Sequence, residues 1–391
     1  MQTKKAKVVW GQRIVMAIFY FSLFFPNIAT SQETANRNET LWQVKPGDPK
    51  LQWESQVFHL GNAYFGVSAY CGVQQEIMTL GEKTFWTGGP GDDANYNFLV
   101  VPEKEQSYIN EIKKLTSEGQ IVEADKLVLR YLCNNKWEKL GGLSTVGSLI
   151  MNFEGCQGEV KGYERRLDLS KSILTVKYQV KGINYQREYF CSYPDRVLVI
   201  RITADKPASI GFELGLQLMH KKRNPQKTIT PASGMLEVSG NMNDNNRSYR
   251  VKIKVENEGG KIIRNDSLLV VRGSNAATIY YTVATDFKLN PPAFRGEDPE
   301  KITADAIAGA ISKGYEKLKD RHVVDYRTLY ARTSLKLDNP VRERESLPTD
   351  ERLYYYIYNN DCRDLGLKEL AFNLGKYMLI SVSRPGTMPT A

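Results

Sequence analysis

From Trp53 to about Thr285 the hydrophobic and polar positions of the chain alternate with a period of two. Leu174, Val176, Tyr178 and Val180 alternate with Thr175, Lys177, Gln179 and Lys181, and after a turn at Gly182-Ile183-Asn184 the run Tyr185 to Tyr193 returns as the second strand of a hairpin. Phe212, Leu214, Leu216 and Leu218 repeat the pattern, as do Tyr249, Val251, Ile253 and Val255. Val197 to Ile202 and Leu268 to Val271 are nearly continuous apolar runs, which suits strands covered on both faces, and Thr278 to Thr285 adds another strand. Many strands at short spacing predict a large antiparallel β-sandwich. One insert departs from this period. Tyr108, Ile109, Ile112 and Leu115, and after Gly119 the set Ile121, Ala124, Leu127, Val128, Tyr131 and Leu132, fall at helical spacing and predict an αα-hairpin between early strands.

Past Pro291-Pro292 the period becomes 3.6 and stays there. Asp298-Pro299-Glu300 reads as a helix start, with Asp as N-cap and Pro in the first turn, and Ile302, Ala306, Ala310, Tyr315 and Leu318 lie along one face. A second helix runs through Val323, Tyr326, Leu329 and Tyr330, and Leu337 to Pro348 is a charged, proline-containing linker. Thr349-Asp350-Glu351 then opens a tyrosine-rich helix, and Leu365 to Ser381 forms another. Strands first and helices afterwards predict separate domains.

The first thirty residues are a different material. Lys4, Lys5, Lys7 and Arg13 precede an apolar run from Ile14 to Phe25, and Ala29-Thr30-Ser31 supplies small residues for cleavage before Gln32. The run is about 12 residues, short of the roughly 20 that span a bilayer. The pattern predicts a cleaved signal peptide over 1–31, periplasmic or secreted localisation, and no membrane span afterwards. Removing that leader takes away four of the 53 basic residues, leaving 49 against 44 acidic ones. A balance this mild, with only short runs such as His220-Lys221-Lys222-Arg223, argues against a nucleic-acid partner. Cys71, Cys133, Cys156, Cys191 and Cys362 have no C-x-x-C spacing, and His59, His220 and His322 are scattered, so no metal site is predicted.

Two blocks carry the most specific signal: Gly61-Asn62-Ala63-Tyr64-Phe65-Gly66 with Thr84-Phe85-Trp86-Thr87-Gly88-Gly89-Pro90 behind it, and Leu379 to Gly386 with Ser383-Arg384-Pro385-Gly386. Between them lie Tyr163-Glu164-Arg165-Arg166-Leu167-Asp168-Leu169, Arg187-Glu188-Tyr189-Phe190, Ser192-Tyr193-Pro194-Asp195-Arg196 and Pro348-Thr349-Asp350-Glu351-Arg352-Leu353. In this order the set resembles the amino-terminal part of glycoside hydrolase family 95, the α-L-fucosidases. The resemblance implies a β-sandwich amino-terminal domain over 32–290, a helical linker over 291–336, and over 349–391 the start of an (α/α)6 barrel, truncated. It implies inverting cleavage of terminal α-linked L-fucose from glycans, with fucosylated oligosaccharides as partners and no metal or organic cofactor.

In that family a glutamic acid protonates the leaving oxygen, and asparagine amides backed by an aspartate orient the water. All belong to barrel segments after the Arg-Pro-Gly block, so no catalytic residue is assigned here and the chain alone is expected to be inactive. Candidate substrate-binding residues are Asn62, Trp86 and Arg384. Each also has a structural reading: an αL turn for Asn62, a core tryptophan at a strand end for Trp86, a capping contact for Arg384. Two departures from the family pattern stand out, Gly81-Glu82-Lys83-Thr84 for Asn-Glu-Asp-Thr and Gly147-Ser148 for Gly-Asp. A secreted carbohydrate-binding sandwich, or a sandwich-plus-barrel glycosidase or phosphorylase of another specificity, stays open. With only two barrel helices present, Leu353, Tyr356, Leu370, Leu374 and Met378 are expected to lie uncovered.

Overall fold

The computed structural model describes residues 37–88, 107–132 and 141–388; the leader, Gly89-Pro90 and Cys133 lie outside them. Among the described residues the alternation resolves into sixteen strands. The first eight are β1 Thr40–Gln43, β2 Phe58–Gly61, β3 Phe65–Ala69, β4 Gln75–Trp86, β5 Leu143–Phe153, β6 Val160–Asp168, β7 Ile173–Val180 and β8 Ile183–Ser192. The others are β9 Val197–Ala204, β10 Ile210–Leu218, β11 Gln226–Thr230, β12 Met235–Asn241, β13 Ser248–Glu258, β14 Lys261–Asn265, β15 Leu268–Ser274 and β16 Ala276–Thr285. They form a nine-stranded sheet in the order β1-β6-β7-β8-β9-β16-β13-β12-β11 and a seven-stranded sheet in the order β14-β15-β10-β5-β4-β3-β2. Met78, Leu80, Leu149, Met151, Phe212 and Leu214 of the smaller sheet share one core with Leu174, Val176, Leu198, Ile200, Val251 and Ile253 of the larger.

The hairpin of β7 and β8 turns through Lys181 and Gly182, not through Gly182-Ile183-Asn184. Both turn residues have positive φ, 51° and 72°, and Val180 already pairs with Ile183. That is the primed two-residue turn whose twist matches the strands it joins. The helical insert forms α1 Ser107–Ser117 and α2 Ile121–Leu127, continued by a turn over Val128–Leu132. It stands outside the core: no residue of α1 is buried and only Ala124 of α2 is. Tyr108 and Tyr131 stack with ring centroids 3.7 Å apart.

Helix α3, Pro299–Tyr330, starts as expected. The Asp298 carboxylate accepts from the backbone N–H of Glu300 and Lys301 at 3.0 and 3.1 Å. The two helices read from the sequence are one element broken at Gly314, whose φ of 71° and ψ of 171° are not helical. The buried stripe is Thr303, Ile307 and Ala310, then Leu318, His322, Tyr326 and Tyr330, while Ile302 and Ala306 are half-buried. Ile307, Ala310 and Leu318 cover Phe190, Val197, Val199 and Tyr280 on the outer face of the larger sheet. This explains the continuous apolar run of β9: Leu198, Ile200 and Ile202 face the sandwich interior while Val197 and Val199 face α3.

Helices α4, Thr349–Tyr358, and α5, Leu365–Val382, follow. The expectation of an uncovered tail is corrected here. Leu370 is fully buried and Leu374 nearly so, and with Leu367 and Tyr377 they join the main core beside β2 and β3; Leu353 and Tyr356 pack partly buried against it. Burial of a leucine on this scale stabilises by about 1.5–3 kcal/mol. The opposite face of α5, with Phe372, Met378, Leu379 and Val382, is exposed, as are Tyr354, Tyr355 and Tyr358 of α4.

Candidate functional site

The three-residue connection between β2 and β3 places Asn62. Its Oδ1 accepts from the backbone N–H of Tyr64 and Phe65 at 3.2 and 3.0 Å, and its Nδ2 donates to the carbonyl of Ser192 at 3.0 Å. The residue is buried, and the left-handed backbone belongs to its neighbour Ala63, at φ 64°. Asn62 therefore shapes the turn and ties it to the end of β8.

That tie brings Asn62 to the same end of the sandwich as Arg384. Tyr64 and Tyr193 stack nearly parallel with centroids 5.4 Å apart. A guanidinium lies on each side of the pair, Arg196 with Cζ 3.7 Å from the Tyr64 centroid and Arg384 with Cζ 4.2 Å from that of Tyr193. Such contacts contribute from about 0.5–1 kcal/mol at exposed sites to about 2 where the cation is desolvated. Arg384 is 8% exposed and ion-paired to Asp325 of α3. Further bonds fix the chain around it: Ala63 N–H to the Ser381 carbonyl at 2.7 Å, Tyr193 Oη to the Pro385 carbonyl at 2.6 Å, and Lys83 Nζ to the Val382 carbonyl. The Arg–Tyr–Tyr–Arg ladder thus clamps the Arg-Pro-Gly turn between two sandwich turns and α3.

Trp86 is not part of this cluster. It ends β4 opposite Leu143, with its side chain 41% exposed and its carbonyl accepting from Asn245 Nδ2 at 2.7 Å.

Inside the sandwich lie two carboxylates that were not among the sequence candidates: Glu82, opposite Phe65 at this same end, and Glu76, beside Cys71 toward the far end of β3. Glu76 and Glu82 are six residues apart on β4, so the two-residue period turns both inward. Glu76 accepts from Arg187 Nη1 at 3.3 Å, Tyr189 Oη at 2.8 Å and the backbone N–H of Cys71 at 2.8 Å. Burial raises its pKa, with Arg187 opposing. Among the described residues Glu82 accepts from Thr84, through the backbone N–H at 2.8 Å and Oγ1 at 2.6 Å. Burial pushes its carboxyl up to about 7, against the weaker pull of Thr84, Arg196 and Arg247. A signal was available, since an acidic residue at an inward position of an alternating strand is unusual.

One cleft opens between the β1–β2 side of the sandwich and helices α4 and α5. It encloses about 740 Å³ including its open mouth, and Gln43, Glu54, Phe58, His59, Asp350 and Tyr377 are among its walls. His59 Nδ1 lies 3.0 Å from Ser68 Oγ, and burial lowers the imidazole pKa, keeping the ring neutral at neutral pH. His322 is structural: its Nε2 lies 3.0 and 3.1 Å from the carbonyls of Lys171 and Ser172, and burial lowers it to about 4. Among the described residues no group of three or more His, Cys, Asp or Glu is placed to hold a metal ion, and no helix is long and apolar enough to cross a membrane. Cys71, Cys156 and Cys191 are buried free thiols and Cys362 is exposed.

Comparison with known proteins matches the family model "Glycosyl hydrolase family 65, N-terminal domain" over residues 41–290 and "Glycosyl hydrolase family 95 catalytic domain" over residues 314–391. Alpha-L-fucosidase 2 of Arabidopsis thaliana is 27% identical over 373 residues, covering 87% of this chain and 42% of the relative. Probable alpha-fucosidase A of Aspergillus niger is 23% identical, covering 90% and 44%, and that of Aspergillus oryzae is 24% identical, covering 92% and 49%. The chain thus spans less than half the length of these curated relatives. Among solved structures, a putative kojibiose phosphorylase from human microbiome aligns with a TM-score of 0.44 at 10% identity, over 82% of this chain and 42% of that one. The chain belongs to the glycosyl hydrolases, with a family 65 N-terminal domain over residues 41–290 and family 95 catalytic-domain sequence over residues 314–391.

Proposed function

We propose that this chain is the sandwich-bearing amino-terminal region of an exported, inverting α-L-fucosidase acting on terminal fucose of glycans, and that it does not hydrolyse fucosides by itself. The observation that carries the reading is the order of the two family matches together with relatives named as α-fucosidases. Inverting hydrolysis needs a proton donor and a positioned water on opposite faces of the sugar. Asn62 and Arg384 have other work: the amide holds a turn and the guanidinium is paired with Asp325. On this reading the region is a platform that presents catalytic-domain helices in a fixed orientation.

The test is incubation of the purified chain with a 2′-fucosylated oligosaccharide. No fucose is expected, and release abolished by a single substitution within the chain would overturn the proposal. Export rests on the basic and apolar pattern of the first thirty residues. Amino-terminal sequencing of exported protein should begin near Gln32; membrane-bound protein retaining Met1 would contradict it.

A further inference from the structure

We propose that the residues leading into and forming β1 act as a strap, with Asn38 as its fastening point, and that this strap governs the docking of α4 and α5 on the sandwich. Asn38 is 7% exposed and touches three separate elements. Its Nδ2 donates to Glu369 Oε2 of α5 at 2.9 Å and to Glu345 Oε1 of the short helical turn Arg342–Ser346 at 3.3 Å. Its Oδ1 lies 3.5 Å from both terminal nitrogens of Arg352 in α4, and its backbone carbonyl accepts from Asn373 Nδ2 of α5 at 2.9 Å. Four residues on, Trp42 N–H donates to Thr349 Oγ1 at 3.0 Å, at the start of α4. The same stretch pairs with Asp168 to Arg165 of β6, so one short segment is both the edge of the nine-stranded sheet and the tether of the helices.

The chemistry of the cluster explains why an amide stands at its centre. Asp364 pairs with the Arg352 guanidinium, while the other two carboxylates of the cluster, Glu345 and Glu369, meet at Asn38. Asp364 takes Arg352 in two bonds of 2.9 Å and also caps α5 by accepting from Leu367 N–H at 3.0 Å. The other two carboxylates depend on neutral donors: Leu337 N–H and Asn38 for Glu369, Asn339 at 2.9 Å and Asn38 for Glu345. Asn38 offers two N–H groups and adds no charge, whereas a buried carboxylate that loses its donor is left with an uncompensated desolvation penalty. The fit is close: a Cβ on Gly366 would stand 2.7 Å from Glu345 Oε1 and 2.8 Å from Asn38 Oδ1.

The test is hydrogen exchange by mass spectrometry on the whole chain, comparing wild type with Asn38→Ala and Asn38→Asp. The alanine variant should exchange at least about tenfold faster over residues 342–382 while β9 and β16 keep their protection. The aspartate variant, which sets a further carboxylate against Glu345 and Glu369, should lose more protection in that segment than alanine does. Equal acceleration of β9, β16 and the helices would reduce Asn38 to an ordinary contributor to global stability and overturn the proposal. No change, or an aspartate variant better protected than alanine, would do the same. Should N38A fail to fold, Asn373→Ala, which removes only the bond to the Asn38 carbonyl, is read by the same criteria.

Discussion

Replacing Glu82 by glutamine should alter how the stability of the sandwich depends on pH. The residue is 7% exposed; its carboxyl faces Thr84 of its own strand, which in turn bonds Thr285 of β16, and lies near Tyr281 and the more distant charges of Arg196 and Arg247. Burial raises its pKa from 4.5 to about 7 in the folded chain. The folded state therefore holds the proton more tightly than the unfolded state. The stability this group contributes is complete below about pH 4.5 and is lost as pH rises through about 7. At 1.36 kcal/mol per unit, the loss is at most about 3 kcal/mol. Glutamine resembles the protonated acid in shape and in having one acceptor and one donor side, but it does not titrate. Urea unfolding followed by circular dichroism at pH 4.5, 6 and 8 measures the difference, because every other titrating group is common to both proteins. Glu82→Gln should match wild type at pH 4.5 and exceed it by up to about 3 kcal/mol at pH 8. A difference that stays flat with pH, or a wild type more stable at pH 8, would refute the assignment of a buried, uncompensated carboxyl.

Glu76 differs in having a buried ionic partner, Arg187. Arg187→Met leaves its carboxylate buried and unpaired and should destabilise by about 3–5 kcal/mol in urea unfolding, and combining it with Glu76→Gln should recover a substantial part. Leu370→Ala, at a fully buried position of α5, should lower stability by about 2–5 kcal/mol, whereas Leu379→Ala on the exposed face should stay within about 0.5 kcal/mol. Asp298→Ala removes two cap bonds from α3 and should cost about 1 kcal/mol, with faster amide exchange confined to the first turn of that helix.

Periodicity made β7, β8, β10 and β13 legible because each has one face in the core, and β9 was legible as doubly covered because apolar residues occupy both of its faces. β1 was missed: four residues show too little alternation, and its partners are β6 and α4, both distant in sequence. The stretch at Trp53 reads as the beginning of the sandwich, yet Trp53–Gln56 is a helical turn. The start of α3 was written locally in Asp298-Pro299, but its buried face was misread by one position, since the polar Thr303 and His322 take buried places on the stripe while the apolar Ile302 and Ala306 are only half-buried. For the candidate site, sequence brought Asn62 and Arg384 into view through their motifs. It did not reveal that Tyr64, Tyr193 and Arg196 stack with Arg384, because those contacts join turns more than a hundred residues apart. The burial of Leu370 and Leu374 was hidden for the same reason. An apolar helical face names no partner, and here the partner is the sandwich itself.

The position of β16 bears on how the chain reaches this structure. It is the last strand of the sandwich in sequence, yet it lies in the middle of the nine-stranded sheet, hydrogen-bonded to β9 on one side and β13 on the other. Until it has been synthesised, β1-β6-β7-β8-β9 and β13-β12-β11 are two separate ribbons, each with an unpaired edge where β16 will lie. All ten of its residues are buried in the finished molecule. Ribosomal synthesis therefore passes through a prolonged stage in which more than two hundred residues of strand-forming chain wait for ten, a topology that slows folding and exposes sticky edges to neighbouring chains.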